Sequence, residues 1–259
     1  MFTRDIATCK FVKQCVSQAQ FPLLPITSEK TLYNCRNLNH DGYTRIYVTS
    51  YPKSGTTWMQ NIVYTLVTRG KRELDHISYY APFYEADRSW SSNGKVAEPS
   101  NTKQAEIGFR IFNTHLLPSM IPRSDTKTKI IYVVRNPKDV VCSFFHHLSA
   151  QHPDDGGFEG SFENFYSQWI EGNIAFGKWT SHVEQWLEYC NSEHSNVLVV
   201  SFEAMKANLT GEMCRVAKHL GLSLSEEYIV KHCVRSFLLE NMKRNKKKSL
   251  QTGTQMYIQ

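Results

Sequence analysis

Two short stretches of this chain are apolar at nearly every position: Lys129–Val134 (KIIYVV) and Asn196–Ser201 (NVLVVS). A strand with one wet face alternates apolar and polar residues, so a run that does not alternate needs cover on both faces. Parallel sheets meet that need, because each crossover between parallel strands lays a helix on the sheet. Enrichment in β-branched and aromatic residues marks two further strands, Arg45–Ser50 and Glu106–Phe112. Helical spacing lies between them. Thr57–Thr68 places Trp58, Ile62, Thr65 and Leu66 on one face, Phe162–Tyr189 carries aromatics three and four apart, and Leu209–Leu220 stops at Gly221. The expected fold is α/β: a three-layer sandwich around a central, mostly parallel sheet. At 259 residues, with 41% apolar content, the chain is long enough for one such domain spanning 1–259, with 1–20 and 243–259 as its frayed ends. Ser89–Asn101 and Ala150–Gly160 are rich in turn residues and are expected as loops over the carboxyl edge of the sheet, where open α/β folds bind ligands.

Thirty basic residues against 24 acids give a net charge of +6. That excess suits a small anionic ligand and is too dispersed to point to nucleic acid. No run approaches the roughly 18 apolar residues that span a bilayer, so no membrane partner is expected. The first fifteen residues, MFTRDIATCKFVKQC, are broken by charges and contain no apolar core of a secretory signal. Seven cysteines, scattered and without a CxxC pair, fit reduced thiols in the cytoplasm and no metal site.

The segment richest in chemistry starts in the strand Ile46–Ser50 and passes through Tyr51-Pro52-Lys53-Ser54-Gly55-Thr56-Thr57-Trp58 into a helix. A strand that turns into a helix in this way aims the first helical amides, and the positive end of the helix dipole, at one point. Gly55 lets the backbone approach an anion closely, Lys53 adds a formal charge, and Ser54, Thr56 and Thr57 add hydroxyls. GxxxxGK[ST] is absent, so this is no Walker loop for Mg-nucleotide. The bland alternative is a capped helix start with nothing bound. A second candidate is Arg135, which follows the apolar strand and opens Arg135-Asn136-Pro137-Lys138-Asp139-Val140-Val141-Cys142-Ser143. Its guanidinium fork suits phosphate, and its alternative use is an ion pair with Asp139.

YPKSGTTW resembles the 5′-phosphosulfate loop of the cytosolic sulfotransferases. The resemblance runs in order from about Tyr47 to Phe237, through RNPKDVVCS, Gly172–Trp186 and Phe202–Lys206. It implies a P-loop-like phosphosulfate-binding loop and sulfuryl transfer from 3′-phosphoadenosine 5′-phosphosulfate (PAPS) to a hydroxyl or amine, with 3′-phosphoadenosine 5′-phosphate (PAP) as product and no metal. Carried over by the matching segments, Lys53 steadies the leaving phosphate and the run Lys53, Ser54, Gly55, Thr56, Thr57 and Trp58 holds the donor. Arg135 and Ser143 grip the 3′-phosphate, and Phe237 with Trp58 flanks the adenine. Asn113-Thr114-His115-Leu116-Leu117-Pro118 is similar to the segment that carries the family's catalytic base, which makes His115 that base. Asn113, Thr114, Phe83 and His152 are expected around a small, mainly apolar acceptor, with Phe21, Tyr84 and His147 nearby.

Three departures bear on activity. Asn113 stands where the family has a lysine that helps hold the sulfuryl group, and losing such a donor costs about 10²–10³ in rate. Phe202 replaces an adenine-contacting tyrosine, and Arg235 a threonine. Family members also run several dozen residues further, through an Arg-Lys-Gly segment and a dimer motif; the basic run Lys243–Lys248 is the only local substitute. Lower donor affinity is therefore expected, and the oligomeric state stays open. Two rival functions remain: a catalytically weak nucleotide-binding protein of the same fold, and a P-loop kinase.

Overall fold

The computed structural model describes residues 12–234, apart from 17–18, 73, 123–124 and 193–195. Strands β1 (Val12–Val16) and β2 (Ala19–Leu23) pair antiparallel ahead of α1 (Glu29–Arg36). Strand β3 (Thr44–Ser50) leads into α2 (Thr56–Thr68), and α3 (Ile77–Tyr80) and α4 (Ser100–Ile107) precede β4 (Phe109–Thr114). Strand β5 (Thr128–Val134) leads into α5 (Pro137–Ser149), followed by α6 (Phe162–Glu171) and α7 (Trp179–Cys190). Strand β6 (Val197–Ser201) runs straight into α8 (Phe202–Ala207), with α9 (Leu209–His219) and α10 (Glu226–His232) after it.

The central sheet has the order β4-β3-β5-β6 and every pairing in it is parallel. Alternation along the strands sorts side chains into two cores. Tyr47, Phe112, Ile130 and Tyr132 pack with Phe144 of α5, Phe165 of α6 and Trp186 of α7. Ile46, Val48, Ile111, Ile131 and Val133 face the other way, onto Met59 and Ile62 of α2 and Met213 and Val216 of α9. The double cover explains why Lys129–Val134 reads as a continuous apolar run: both phases of the pleat are buried. This is the expected three-layer α/β sandwich. Because the strands are parallel, Ser50, Thr114, Val134 and Ser201 all end on one edge.

Two element assignments needed correction. Glu106 and Ile107 close α4 rather than open β4, and Gly108, left-handed at φ 74°, caps that helix. The strand therefore extends to Thr114 and carries Asn113 and Thr114 within the ladder. The stretch expected as one helix over Phe162–Tyr189 is two, because Gly172 adopts φ 80° and ends α6. Ala150–Gly160 is a loop, as expected, containing a single tight turn at Pro153–Asp155. Ser89–Asn101 is a loop too, pinned by a Trp90–Val96 bridge, until α4 takes its last two residues. Phe237, Arg235 and Lys243–Lys248 lie outside the described residues. No helix among the described residues is long and apolar enough to cross a membrane.

Candidate active site

Three chain segments leave the carboxyl edge of the sheet and meet around one cavity of about 610 Å³. The first is the turn from β3 into α2. Lys53 adopts φ 67° and Gly55 φ 109°, which bends the chain so that α2 starts at the edge itself. Gly55 is the residue capping α2; it has no side chain to cap the first turn, and no acidic residue sits there. The turn's amides and the helix dipole thus favour an anion at this point. A Cβ on Gly55 would stand 2.7 Å from Cδ2 of Phe202. Gly55→Ala therefore meets both a forbidden φ and an aromatic wall. It is expected to lose about 1–3 kcal/mol of stability and to weaken anion binding. A urea-denaturation midpoint and an anion affinity both equal to wild type would refute this account of the turn.

The second segment begins with Arg135, one residue past β5. Its Nη1 donates to the Lys53 carbonyl at 3.0 Å and its guanidinium lies 4.3 Å from the centre of the Phe202 ring. The ion pair with Asp139, the alternative use noted above, is present at 3.6 Å. The ion pair does not preclude a phosphate contact, since one guanidinium offers five N–H donors. Phe202, the first residue of α8, also meets Trp58 edge-on at 5.5 Å. One ring thus ties the anion turn, the arginine and the tryptophan together. Ser143 lies on α5 and lines the same cavity.

The third segment brings His115, one residue past β4 and 7% exposed. Its Nδ1 lies 2.8 Å from the carbonyl oxygen of Ser50. A carbonyl can only accept, so Nδ1 carries the hydrogen and Nε2 keeps the lone pair. Burial pushes the imidazolium pKa down to about 3; the bond to Ser50 opposes this, and the charge of Lys53 adds to it. The ring is therefore neutral at physiological pH, a proton acceptor held in one tautomer. Phe83 and Phe176 flank it, with ring centres 5.6 and 5.2 Å away.

The remaining wall is apolar with a polar rim. Leu24, Ile26, Phe83, Phe144, Leu148 and Phe176 supply the apolar part. Asp87, Arg88, His147, Gln151 and Asp155 supply the rim. The cavity therefore gathers Lys53, Gly55, Thr56, Thr57, Trp58, Phe83, His115, Arg135, Ser143 and His147, ten of the residues singled out from sequence. Others fall elsewhere. Ser54 is 1% exposed and sits beneath the turn. Asn113 and Thr114 are fully buried in the β4 ladder and do not line the cavity. Phe21 and Tyr84 belong to the core behind the wall. His152 is a correction: its ring, 70% exposed, contacts Asp154 and caps the turn at Pro153, so it faces solvent rather than acceptor. Sequence reasoning passed over Phe176. A bulky residue at φ 70° is rare, and this one is held there by its N–H bond to the Pro22 carbonyl at 2.7 Å.

A family model described as a sulfotransferase domain matches residues 43–257. The chain belongs to the sulfotransferase family. This sulfotransferase domain is 37% identical over 191 residues to sulfotransferase 1A1 of Mus musculus, covering 71% of this chain and 62% of the mouse protein. It is 33% identical over 208 residues to sulfotransferase 1E1 of Homo sapiens, covering 77% and 66%. The match thus spans less than two thirds of the length of these curated relatives. In three dimensions it resembles mouse sulfotransferase SULT7A1 complexed with PAP, at TM-score 0.66 and 24% identity over 90% of this chain and 76% of that one. Retinol dehydratase in complex with androsterone and PAP superposes with the same TM-score at 20% identity, over 91% and 75%. At these identities the structural likeness establishes the sulfotransferase fold.

Proposed function

We propose that this chain transfers a sulfuryl group from PAPS to the hydroxyl of a small, mainly apolar acceptor. The observation that carries the reading is His115: a buried, neutral imidazole whose lone pair is set by the Ser50 carbonyl, in a cavity that also holds the Lys53–Trp58 turn. The PAP held by mouse SULT7A1 and by retinol dehydratase supports the choice of donor. The residues here fit that group: the positive-φ turn at Gly55 is closed against Phe202 and leaves no room for a side chain, and Lys53 and Arg135 supply cationic charge beside it.

The donor would supply an activated sulfur bonded to a phosphate leaving group. Lys53 and the amides at the start of α2 neutralise charge that builds on the leaving phosphate as the S–O bond breaks. His115 Nε2 takes the acceptor's hydroxyl proton as its oxygen bonds to sulfur. Bound donor charge opposes the lowering by Lys53 and so raises the basicity of the ring when it is needed. Arg135 and Ser143 hold the 3′-phosphate, and Phe83 and Phe176 keep the acceptor oxygen beside the imidazole. No residue of this set calls for a metal ion.

A thermal-shift titration separates this reading from its rivals. PAP at a hundred times its dissociation constant stabilises a specific site by about 2.7 kcal/mol. PAP is expected to raise the melting temperature, AMP to do so far less, and Arg135→Ala to abolish the difference. Stabilisation by Mg·ATP instead would revive the kinase reading. Binding of PAP without sulfuryl transfer to any phenol or alcohol would leave a nucleotide-binding protein.

A further inference from the structure

We propose that Glu85 and His182 are positioning residues that clamp the main chain of His115 and thereby fix where its ring presents Nε2. The proposal rests on the reading of His115 as the proton acceptor. Residues Pro82–Ala86 run beside the end of β4 like a short added strand: Asn113 N–H donates to the Pro82 carbonyl at 3.0 Å, and Tyr84 N–H to the Asn113 carbonyl at 2.8 Å. Continued by one step, that ladder would offer the His115 N–H a main-chain carbonyl. It receives the Glu85 side chain instead, with Oε1 at 2.6 Å. On the other side, the His115 carbonyl accepts from His182 Nε2 at 3.0 Å. His182 then has Nδ1 as an acceptor, and the Tyr132 hydroxyl donates to it at 3.1 Å. With the bond from ring Nδ1 to Ser50, every polar group of His115 except Nε2 is tied, to three different parts of the fold.

Such an arrangement is expensive for stability alone. Glu85 and His182 are both within 1% of complete burial. Glu85 Oε2 has no partner among the described residues, and a buried polar atom left so is costly. Burial also keeps both groups neutral, pushing Glu85 up to about 8 against its bond from His115, and His182 down to about 4. Neutral groups hold the peptide without adding a formal charge beside the base. The return is geometric: displacement of a catalytic group by about 1 Å costs on the order of 10² in rate.

The test compares truncation with conservative replacement. Glu85→Ala and His182→Ala are expected to lower kcat about 10- to 100-fold, with acceptor KM and PAP affinity unchanged. Glu85→Gln and His182→Gln, which can still accept from the N–H and donate to the carbonyl, are expected to restore most of it. A loss as deep in the glutamine variants, a loss confined to KM or PAP binding, or no loss at all would overturn the clamp. Nitrogen-15 spectra of the histidine rings give the same answer without turnover. His115 should show a single Nδ1–H tautomer in the wild type and the glutamine variants, and a mixture in the alanine ones. A wild type that shows this pattern yet transfers no sulfuryl group would sink the functional reading and leave the clamp standing. A tautomer unmoved by Glu85→Ala in an active enzyme would do the reverse.

Discussion

Replacing His115 with alanine is expected to lower kcat by about 10²–10⁴, the range general-base catalysis supplies, while PAP binds as before. The separation follows from the geometry. His115 leaves the sheet from β4, whereas the anion turn and Arg135 leave it from β3 and β5, and the ring Nδ1 is bonded to the Ser50 carbonyl rather than to the turn. Loss of the ring therefore removes the proton acceptor and spares the phosphate grip. Single-turnover rates with a phenolic acceptor, alongside calorimetric PAP binding, check both halves. A variant retaining wild-type kcat would mean that another group, or water, takes the proton.

Stability should peak near pH 6.5 and decline on both sides. His115 and His182 have folded-state pKa values pushed by burial to about 3 and about 4. Below about pH 6.5 the unfolded chain binds two protons that the folded chain refuses, so acid favours unfolding. Glu85 acts in the opposite sense. Raised by burial to about 8, it keeps its proton between about pH 4.5 and 8 while the unfolded chain gives it up. Between pH 6.5 and 4.5 Glu85 thus offsets one of these two histidines, while His76 and His219, also lowered by burial, add to the decline toward acid. Below pH 4.5 the offset ends and the decline steepens. Between pH 6.5 and 8, Glu85 alone acts and stability falls as pH rises. Urea midpoints at pH 4.5, 6.5 and 8 measure this, and Glu85→Gln should flatten the alkaline side. A midpoint constant across the range would contradict the buried, neutral state of these groups.

The sheet was legible because its strands are short and apolar: β5 is buried on both faces, while β6, at the sheet edge, is fully buried only at Val200. KIIYVV and NVLVVS admit few other structures, and the helices between them follow from spacing. The β4 start was misread because Glu106 and Ile107 look no different in a strand or a helix end; Gly108 at φ 74° decides it. Within the site, the placing of the Lys53–Trp58 turn and of Arg135 at the cavity was readable, since residues adjacent in sequence stay adjacent there. The walls were not. Leu24, Ile26 and Phe176 come from distant parts of the chain, and each is an ordinary apolar residue in sequence. His152 misled for the converse reason: a histidine in a turn-rich loop near the site has nothing in its sequence that says which way its ring points. Glu85 and His182 are legible only through the bonds they make to the main chain of His115, which no side-chain pattern encodes.

Helix α5 lends the cavity Ser143 at one point and His147 and Leu148 a turn further on. About 6 Å of rigid rise separates them, so under the proposed function the helix would act as a measuring rod between the nucleotide end and the acceptor end. Point changes along its outer half can retune which acceptor fits while the nucleotide contact stays put. An inserted or deleted residue within the rod would instead swing everything after it by about 100° around the axis. In the proposed enzyme, a change of acceptor that spares the nucleotide contact would therefore come by substitution along α5 rather than by insertion or deletion within it.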